Sequence, residues 1–305
     1  MITFFKNFIA KILKHMFEEE TEKMLTLKAK KLSITHNNFK KIKDLSEVEF
    51  QVSSQWGEDG IIDWLFNKFS KLPKIFVEIG TQDYRESNTR FLLRNKNFDG
   101  YLIEGDSTAT KNIKRQRIYW KHNLIVKNRF VDKDNINKIV TEMKIPKKIG
   151  LLSLDIDGID YWVLKALKSL DASIVICEYN SLFGTKKSVT VPYDKNFDRT
   201  KKHFSNLYYG ASINAFIDLM KSRNYFLLGT NTSGNNAFFM KNIFSRDINK
   251  ILKEKKIYMS KYRESRDKKG RPTYLDKKRS LHIIGNNMLV DLNDNKKKKI
   301  KDLIL

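Results

Sequence analysis

Lys74-Ile-Phe-Val-Glu-Ile-Gly-Thr-Gln-Asp-Tyr-Arg-Glu-Ser-Asn-Thr-Arg90 is the stretch whose reading decides the fold. Ile75 to Ile79 is a short apolar run bounded by turn residues, the composition of a strand covered on both faces of a parallel sheet. Gly80 ends it, and glycine at the carboxyl end of such a strand lets a ligand approach the backbone. Glu86, Ser87 and Asn88 then supply capping chemistry for a helix. Ligands of open α/β sheets bind outside the carboxyl ends of the strands, so this turn is the expected cradle. A second strand, Gly100-Tyr-Leu-Ile-Glu104-Gly-Asp106, ends in acids. That is where a carboxylate grips ribose hydroxyls in nucleotide-binding βαβ units.

A dinucleotide fingerprint needs three glycines, G-x-G-x-x-G, to clear a pyrophosphate. Here Gly80 stands alone, followed by Gln82, Asp83 and Tyr84. One glycine before polar residues suits a nucleoside ligand without a diphosphate, such as S-adenosylmethionine. Ser54-Gln-Trp-Gly-Glu-Asp59, Phe76-Val-Glu-Ile-Gly80, Ser87-Asn-Thr89 and Gly100-Tyr-Leu-Ile-Glu104 together resemble the opening of FkbM-type methyltransferases, a branch of the class I S-adenosylmethionine-dependent fold. The resemblance spans residues 54–240. It implies that Glu78 and Gly80 lie near the methionine portion of the cofactor and Glu104 near the ribose. Residues 51–69 begin with cap residues and then run apolar at helical spacing, which predicts a helix; the resemblance implies that this segment closes over the cofactor end of the sheet, within reach of Gln55 and Asp59. Asp83 and Asp106, on the same two turns, complete the expected cofactor-binding set.

The alternation continues along the chain. A helix over 107–116, a strand over 124–127 and a helix over 135–143, ended by Pro146, precede Gly150-Leu-Leu-Ser-Leu-Asp155-Ile-Asp157-Gly158-Ile-Asp160. In that segment an apolar strand runs into acids and turns at Gly158 into a helix over 161–170. A fifth strand, 173–177, ends in Glu178-Tyr179-Asn180. After an irregular stretch, 181–208, come a helix over 210–223 and strands over 225–229 and 236–241, joined through Asn231-Thr-Ser-Gly-Asn235 as a hairpin. Five βα units followed by a hairpin predict a doubly wound α/β fold. Its seven-stranded sheet is mostly parallel with an antiparallel last strand, the Rossmann-like pattern of class I methyltransferases. Helical N- and C-terminal additions flank it. The expected partition is an amphipathic and charged extension over 1–50, the methyltransferase domain over 51–241 and a basic accessory segment without catalytic role over 242–305.

Methyl transfer from a sulfonium is an in-line displacement, so the protein must hold the acceptor oxygen in line and help it lose a proton. Asp155, Asp157, Glu178 and Asn180 end neighbouring strands and offer hard oxygens suited to Mg²⁺, Mn²⁺ or Ca²⁺. The arrangement resembles the metal site of catechol-type O-methyltransferases. The alternative is that Asp157 and Asp160 only cap a helix while Asp155 contacts the acceptor. His203 is either a base, completing a catalytic set with Asp155 and Asp157, or a solvated loop histidine. Tyr193, Asp194, Tyr208 and Tyr209 are candidates to shape a sugar or aromatic pocket, and Trp56 and Trp64 are expected in the core. The family resemblance implies a hydroxyl acceptor on a glycan, a nucleotide sugar or another small metabolite. The rivals are a metal-dependent hydroxylase or other transferase on the same scaffold, and a non-catalytic membrane- or polyanion-binding protein.

With 305 residues, 41% of them hydrophobic, the chain can bury a large core. Its single cysteine, Cys177, sits in an apolar run and allows no disulfide within the monomer, pointing to a reducing compartment rather than a catalytic thiol. The net charge of +24, with four lysines in a row at Lys296–Lys299, favours nonspecific adhesion to polyanions or anionic lipid. No RNA-binding module is recognisable, so specific nucleic-acid recognition is not expected. Over residues 1–17, Phe4, Phe5, Phe8, Ile9, Ile12, Leu13 and Met16 form one helical stripe opposite Lys6, Lys11, Lys14 and His15. This is either an interfacial helix on an anionic membrane or a helix packed on protein. The stripe is too interrupted to span a bilayer and no cleavage site follows, so a cytoplasmic protein is expected, peripheral on the inner membrane face in the first case.

Overall fold

The computed structural model describes residues 2–304, leaving out the side chains of 2–16, 18 and 19. The expected amphipathic stripe over 1–17 therefore lies outside the described residues, apart from Phe17, which is exposed. Ten strands and twelve helices follow in chain order among the described residues. Helix α1 (Ile2–Asn37) precedes α2 (Glu58–Lys68), β1 (Ile75–Ile79), α3 (Arg90–Lys96) and β2 (Asp99–Glu104). Next come α4 (Ser107–Arg115), α5 (Arg117–Lys121), β3 (Leu124–Asn128), α6 (Ile136–Glu142) and β4 (Lys148–Leu154). Then follow α7 (Asp160–Ala166), β5 (Asp171–Glu178), the short β6 (Val189–Thr190), α8 (Arg199–Lys202) and α9 (Ile213–Lys221). The chain ends with β7 (Tyr225–Thr230), β8 (Asn236–Lys241), α10 (Ser245–Ile251), α11 (Lys277–Ile284), β9 (Met288–Asp291), β10 (Lys296–Lys299) and α12 (Ile300–Leu303).

The main sheet has seven strands in the order β3-β2-β1-β4-β5-β8-β7. Strands β1 to β5 are parallel, and β8 runs antiparallel to both β5 and β7. The predicted doubly wound, mostly parallel sheet of the Rossmann-like methyltransferase fold is thus present. Successive residues of a strand face opposite layers, and the apolar runs feed both. Val77 and Ile79 of β1, Leu152 and Leu154 of β4, and Val175 and Cys177 of β5 pack with α6, α7 and α9. Phe76, Leu151, Ile174 and Ile176 join Ile61, Trp64 and Leu65 of α2 and Leu92 and Leu93 of α3 on the opposite face. Each fully buried side chain of this size contributes about 1.5–3 kcal/mol. Trp64 is in the core, as expected, whereas Trp56 is 37% exposed.

One boundary differs from the sequence expectation. The helix expected over 51–69 starts only at Glu58, because Asp59 Oδ2 accepts the backbone N–H groups of Val52, Ser53 and Ser54 at 2.8, 2.6 and 2.8 Å and holds that segment as a loop. Residues 242–305, expected as an accessory segment, pack on the sheet domain. Strand β9 pairs with β10 and with β6, and Leu281, Ile284, Leu289 and Ile300 are part of the central core. On the other face Ile42, Leu45 and Val48 join Ile248 and Leu252, with the Ile42 N–H bonded to the Ile251 carbonyl at 2.8 Å. Among the described residues no helix is long and apolar enough to cross a membrane.

Candidate active site

A cavity of about 640 Å³ opens at the carboxyl ends of β1, β2, β4 and β5, within the range of small-molecule sites. Its β1–β2 side is built on Gly80, which has φ +81° and whose missing Cβ would fall 1.7 Å from the Asp155 carbonyl oxygen. No other residue fits there, because β4's end closes onto the turn. Glu104 holds that turn from β2: Oε2 accepts the N–H groups of Thr81 and Gln82 at 2.8 and 2.7 Å, and Oε1 that of Asp106 at 2.8 Å. About four lone-pair directions are available on a carboxylate, so one remains for a ligand hydroxyl. Asp106 caps α4 by accepting from Thr108 and Ala109, and like Glu104 it lines the cavity.

Glu78 also lies on the wall, but its carboxylate is committed to the following loop. It accepts from the hydroxyls of Ser87 and Thr89 at 2.6 and 2.5 Å and from the Asn88 N–H at 3.0 Å, while burial raises its pKa. The S-N-T motif is thus what orders Glu78, and through Asn88, which donates to Ser153 Oγ at 3.1 Å, it ties β1 to β4. Asp83 is outside this cavity, contrary to the sequence expectation. Gln82 and Tyr84 take φ of +46° and +64°, turning Asp83 to the opposite side, where it pairs with Arg85 in a separate cleft. Tyr84 is fully buried with its hydroxyl 2.9 Å from Thr89 Oγ1, so it leaves the cradle open. Of the two residues expected to reach in from the 51–69 segment, Gln55 lines the cavity and Asp59 is buried in its own loop.

The β4–β5 side carries the carboxylates. Oxygens of Asp155, Asp157 and Glu178 lie within 4.8 Å of one another. Burial, then the charges of Asp157 and Asp160, holds the Asp155 carboxyl well above its usual range. Burial, then Asp155 and Asp157, does the same to Glu178. Glu178 is 8% exposed, and its Oε2 has no hydrogen-bond partner. Oxygens facing each other across a Ca²⁺ at about 2.4 Å stand about 4.8 Å apart, so this hard-oxygen set fits a divalent cation. Asn180 does not belong to it. It does not line the cavity, and its side chain tethers the 205–210 loop, the Nδ2 donating to the carbonyls of Leu207 and Tyr209 at 3.1 and 3.0 Å and the Oδ1 accepting from the Leu182 N–H at 3.1 Å. Asp160 accepts the N–H groups of Ile156 and Gly158 at 2.8 and 2.9 Å and so fixes the acidic turn, but neither it nor Asp157 caps α7, which has no side-chain cap.

His203 is not on the cavity wall; its Nδ1 is 2.7 Å from Ser205 Oγ, and burial lowers its pKa. Arg199, at the start of α8, is there instead. It binds Asp157 and Glu264 at 2.5 Å each and the Asn206 carbonyl at 2.6 Å, over the Tyr209 ring at 3.7 Å from its centroid. Tyr193 bonds Asp134 and Tyr208 bonds the Met288 carbonyl; neither they nor Asp194 line the cavity. Tyr262 and Glu264, from the segment expected to have no role, complete the wall, and Tyr262 stacks on Trp56 at 5.9 Å and 20°. Arg199, Trp56, Tyr262 and Glu264 were missed. The available signals were the Asp198 cap before Arg199 and, for the last two, an aromatic and an acid inside a run of lysine and arginine.

The seven-stranded order with its antiparallel β8 is the arrangement of class I methyltransferases, and the fold assignment rests on that order. No protein-family model and no curated protein sequence matches the chain. Solved structures resemble it distantly. One is the N-terminal domain of EvdMO1 with SAH bound: 10% identity over 71% of this chain and 94% of that one, TM-score 0.40. Another is an O-methyltransferase from Bacillus cereus in complex with SAH: 12% identity over 71% and 89%, TM-score 0.40. A third is the CurJ carbon methyltransferase: 8% identity over 64% and 56%, TM-score 0.40.

Proposed function

We propose that this protein is an S-adenosylmethionine-dependent O-methyltransferase of the FkbM-like kind, acting on a hydroxyl of a glycan, a nucleotide sugar or another small metabolite. The observation that carries the proposal is one continuous cavity joining the Gly80 turn and Glu104 to Asp155, Asp157 and Glu178. When bound, S-adenosylmethionine supplies an electrophilic methyl group on a sulfonium. The Gly80–Gln82 backbone and the remaining lone pair of Glu104 hold the nucleoside portion, beside Phe130 on the same wall. At the other end Asp155 and Glu178 take the acceptor's proton; these two with Asp157 would also hold a divalent cation, whose chemistry there would be to lower the acceptor hydroxyl's pKa. Arg199 fixes Asp157 and closes the wall against Glu264. The proposal also places the protein in the cytoplasm, with residues 1–17 resting on the inner membrane face.

Calorimetric titration with S-adenosylhomocysteine, with and without Mg²⁺, tests the reading. Micromolar binding is expected, weakened at least tenfold by Glu104→Ala; no binding by a folded protein in either buffer refutes it.

A further inference from the structure

Resting on the methyltransferase reading, we infer that the acceptor is an uncharged sugar ring, and that the β4–β5 end of the cavity rejects phosphorylated acceptors, nucleotide sugars included. The first observation is a charge contrast. The chain has a net charge of +24, yet among the described residues no lysine lines this cavity, whose cations are Arg129 on the β3 side and Arg199. At its β4–β5 end Asp155, Asp157, Glu178 and Glu264 meet a single guanidinium, Arg199. All three Arg199 nitrogens are already engaged, by Asp157, by Glu264 and by the Asn206 carbonyl. Without a bound cation, a phosphate entering here finds carboxylates and a guanidinium whose charge two of them already share, the reverse of what phosphate recognition needs.

The second observation is what the wall lacks. Glu178 Oε2 and Asn236 Oδ1 are buried, face no donor and belong to residues on the cavity wall. Buried acceptors need donors. A sugar hydroxyl that draws either side chain toward the cavity supplies one, and a phosphate dianion carries none of its own. An ammonium would also donate, but Arg199 occupies Asp157 and Glu264, and the remaining carboxylates are those assigned to the proton or the cation. The third observation is the Trp56–Tyr262 pair on the same wall, parallel within 20°, with Trp56 37% exposed and Tyr262 partly buried, an apolar platform with polar edges against which the C–H face of a pyranose can lie.

The test uses the full chain loaded with S-adenosylhomocysteine and saturation-transfer NMR with a panel of methyl hexopyranosides, their 6-phosphates and the corresponding amino sugars. At least one neutral glycoside is expected to bind, its 6-phosphate at least tenfold more weakly, and the amino sugar no better. Trp56→Ala should weaken that glycoside at least tenfold with the affinity for S-adenosylhomocysteine unchanged; if that variant misfolds, Trp56→Phe should retain most of the binding. A 6-phosphate or amino sugar bound as tightly as its parent, or a panel in which nothing binds to loaded protein, overturns the inference. A protein that does not take up S-adenosylhomocysteine at all refutes the methyltransferase reading instead.

Discussion

Replacing Gly80 with alanine separates two accounts of this glycine. In the sequence reading it admits a ligand, so that G80A would lose cofactor and keep its stability. In the structure it also lets two strands meet, because β4 ends against it with the Asp155 carbonyl oxygen 1.7 Å from where a Cβ would stand. Restoring ordinary contact at about 3.5 Å requires a displacement of roughly 1.8 Å between β1 and β4. That displacement must act on the Asp155 N–H bond to the Ile79 carbonyl, 3.0 Å. An L-residue at φ +81° adds about 1–2 kcal/mol, and overpacking a tight contact adds about 1–3 kcal/mol. The expected loss is therefore about 2–5 kcal/mol, a large share of a typical domain's stability of about 5–15 kcal/mol. Urea unfolding should show a lower midpoint at unchanged slope. Because the same shift carries the Asp155 side chain with it, methyl transfer should fall further than S-adenosylhomocysteine affinity. A G80A protein with the wild-type urea midpoint refutes the reasoning, whatever its affinity for the cofactor.

Three further outcomes follow from the site. Asn180→Ala removes two buried hydrogen bonds and one part-buried one and should cost about 2–3 kcal/mol in urea unfolding; reduced Mn²⁺ affinity in a variant of unchanged stability would restore Asn180 as a ligand. Asp155→Asn should abolish methyl transfer while S-adenosylhomocysteine still binds by calorimetry; wild-type turnover removes it from the mechanism. His36, 7% exposed with an unpartnered Nδ1 between the Phe39 and Phe50 rings, has its pKa lowered by burial, which outweighs the pull of Asp63. Below about pH 6.5 the unfolded chain takes up a proton that the folded one resists, so stability falls on acidification, by at most about 1.36 kcal/mol per pH unit from this group. Urea midpoints between pH 5.5 and 7.5 should fall more steeply for wild type than for His36→Phe, and parallel slopes refute this account.

The parallel strands were legible because each is a local signal: an apolar run such as Ile75–Ile79 or Ser173–Cys177, bounded by turn residues, can bury both faces only inside a sheet. The hairpin through Asn231–Asn235 was legible for a similar reason, and with it the reversed β8. The acids at strand ends were also readable, since a strand's last residue has one place to be. Asp106 and Asp155, just past β2 and β4, were readable as well, but Asp83 and Asn180 were not. Asp83 follows a turn whose left-handed residues send it to the other side, and Asn180 follows Glu178 but spends its amide on the 205–210 loop. No periodicity reports those dihedral angles or partners.

By itself, then, the sequence determined the sheet, its polarity and the strand ends at which chemistry can occur, because hydrophobic alternation and turn chemistry act over a few residues. Only the tertiary structure decided who shares the cavity. Trp56, Arg199, Tyr262 and Glu264 lie far apart in the chain and are brought together because β9 pairs with β6 and Ile42 with Leu252, wrapping the terminal segments onto the sheet's carboxyl edge. Contacts of that range are fixed by the burial of Ile284, Leu289 and Ile300 in the common core. Their apolar surface records that they are buried, but nothing in it records against what.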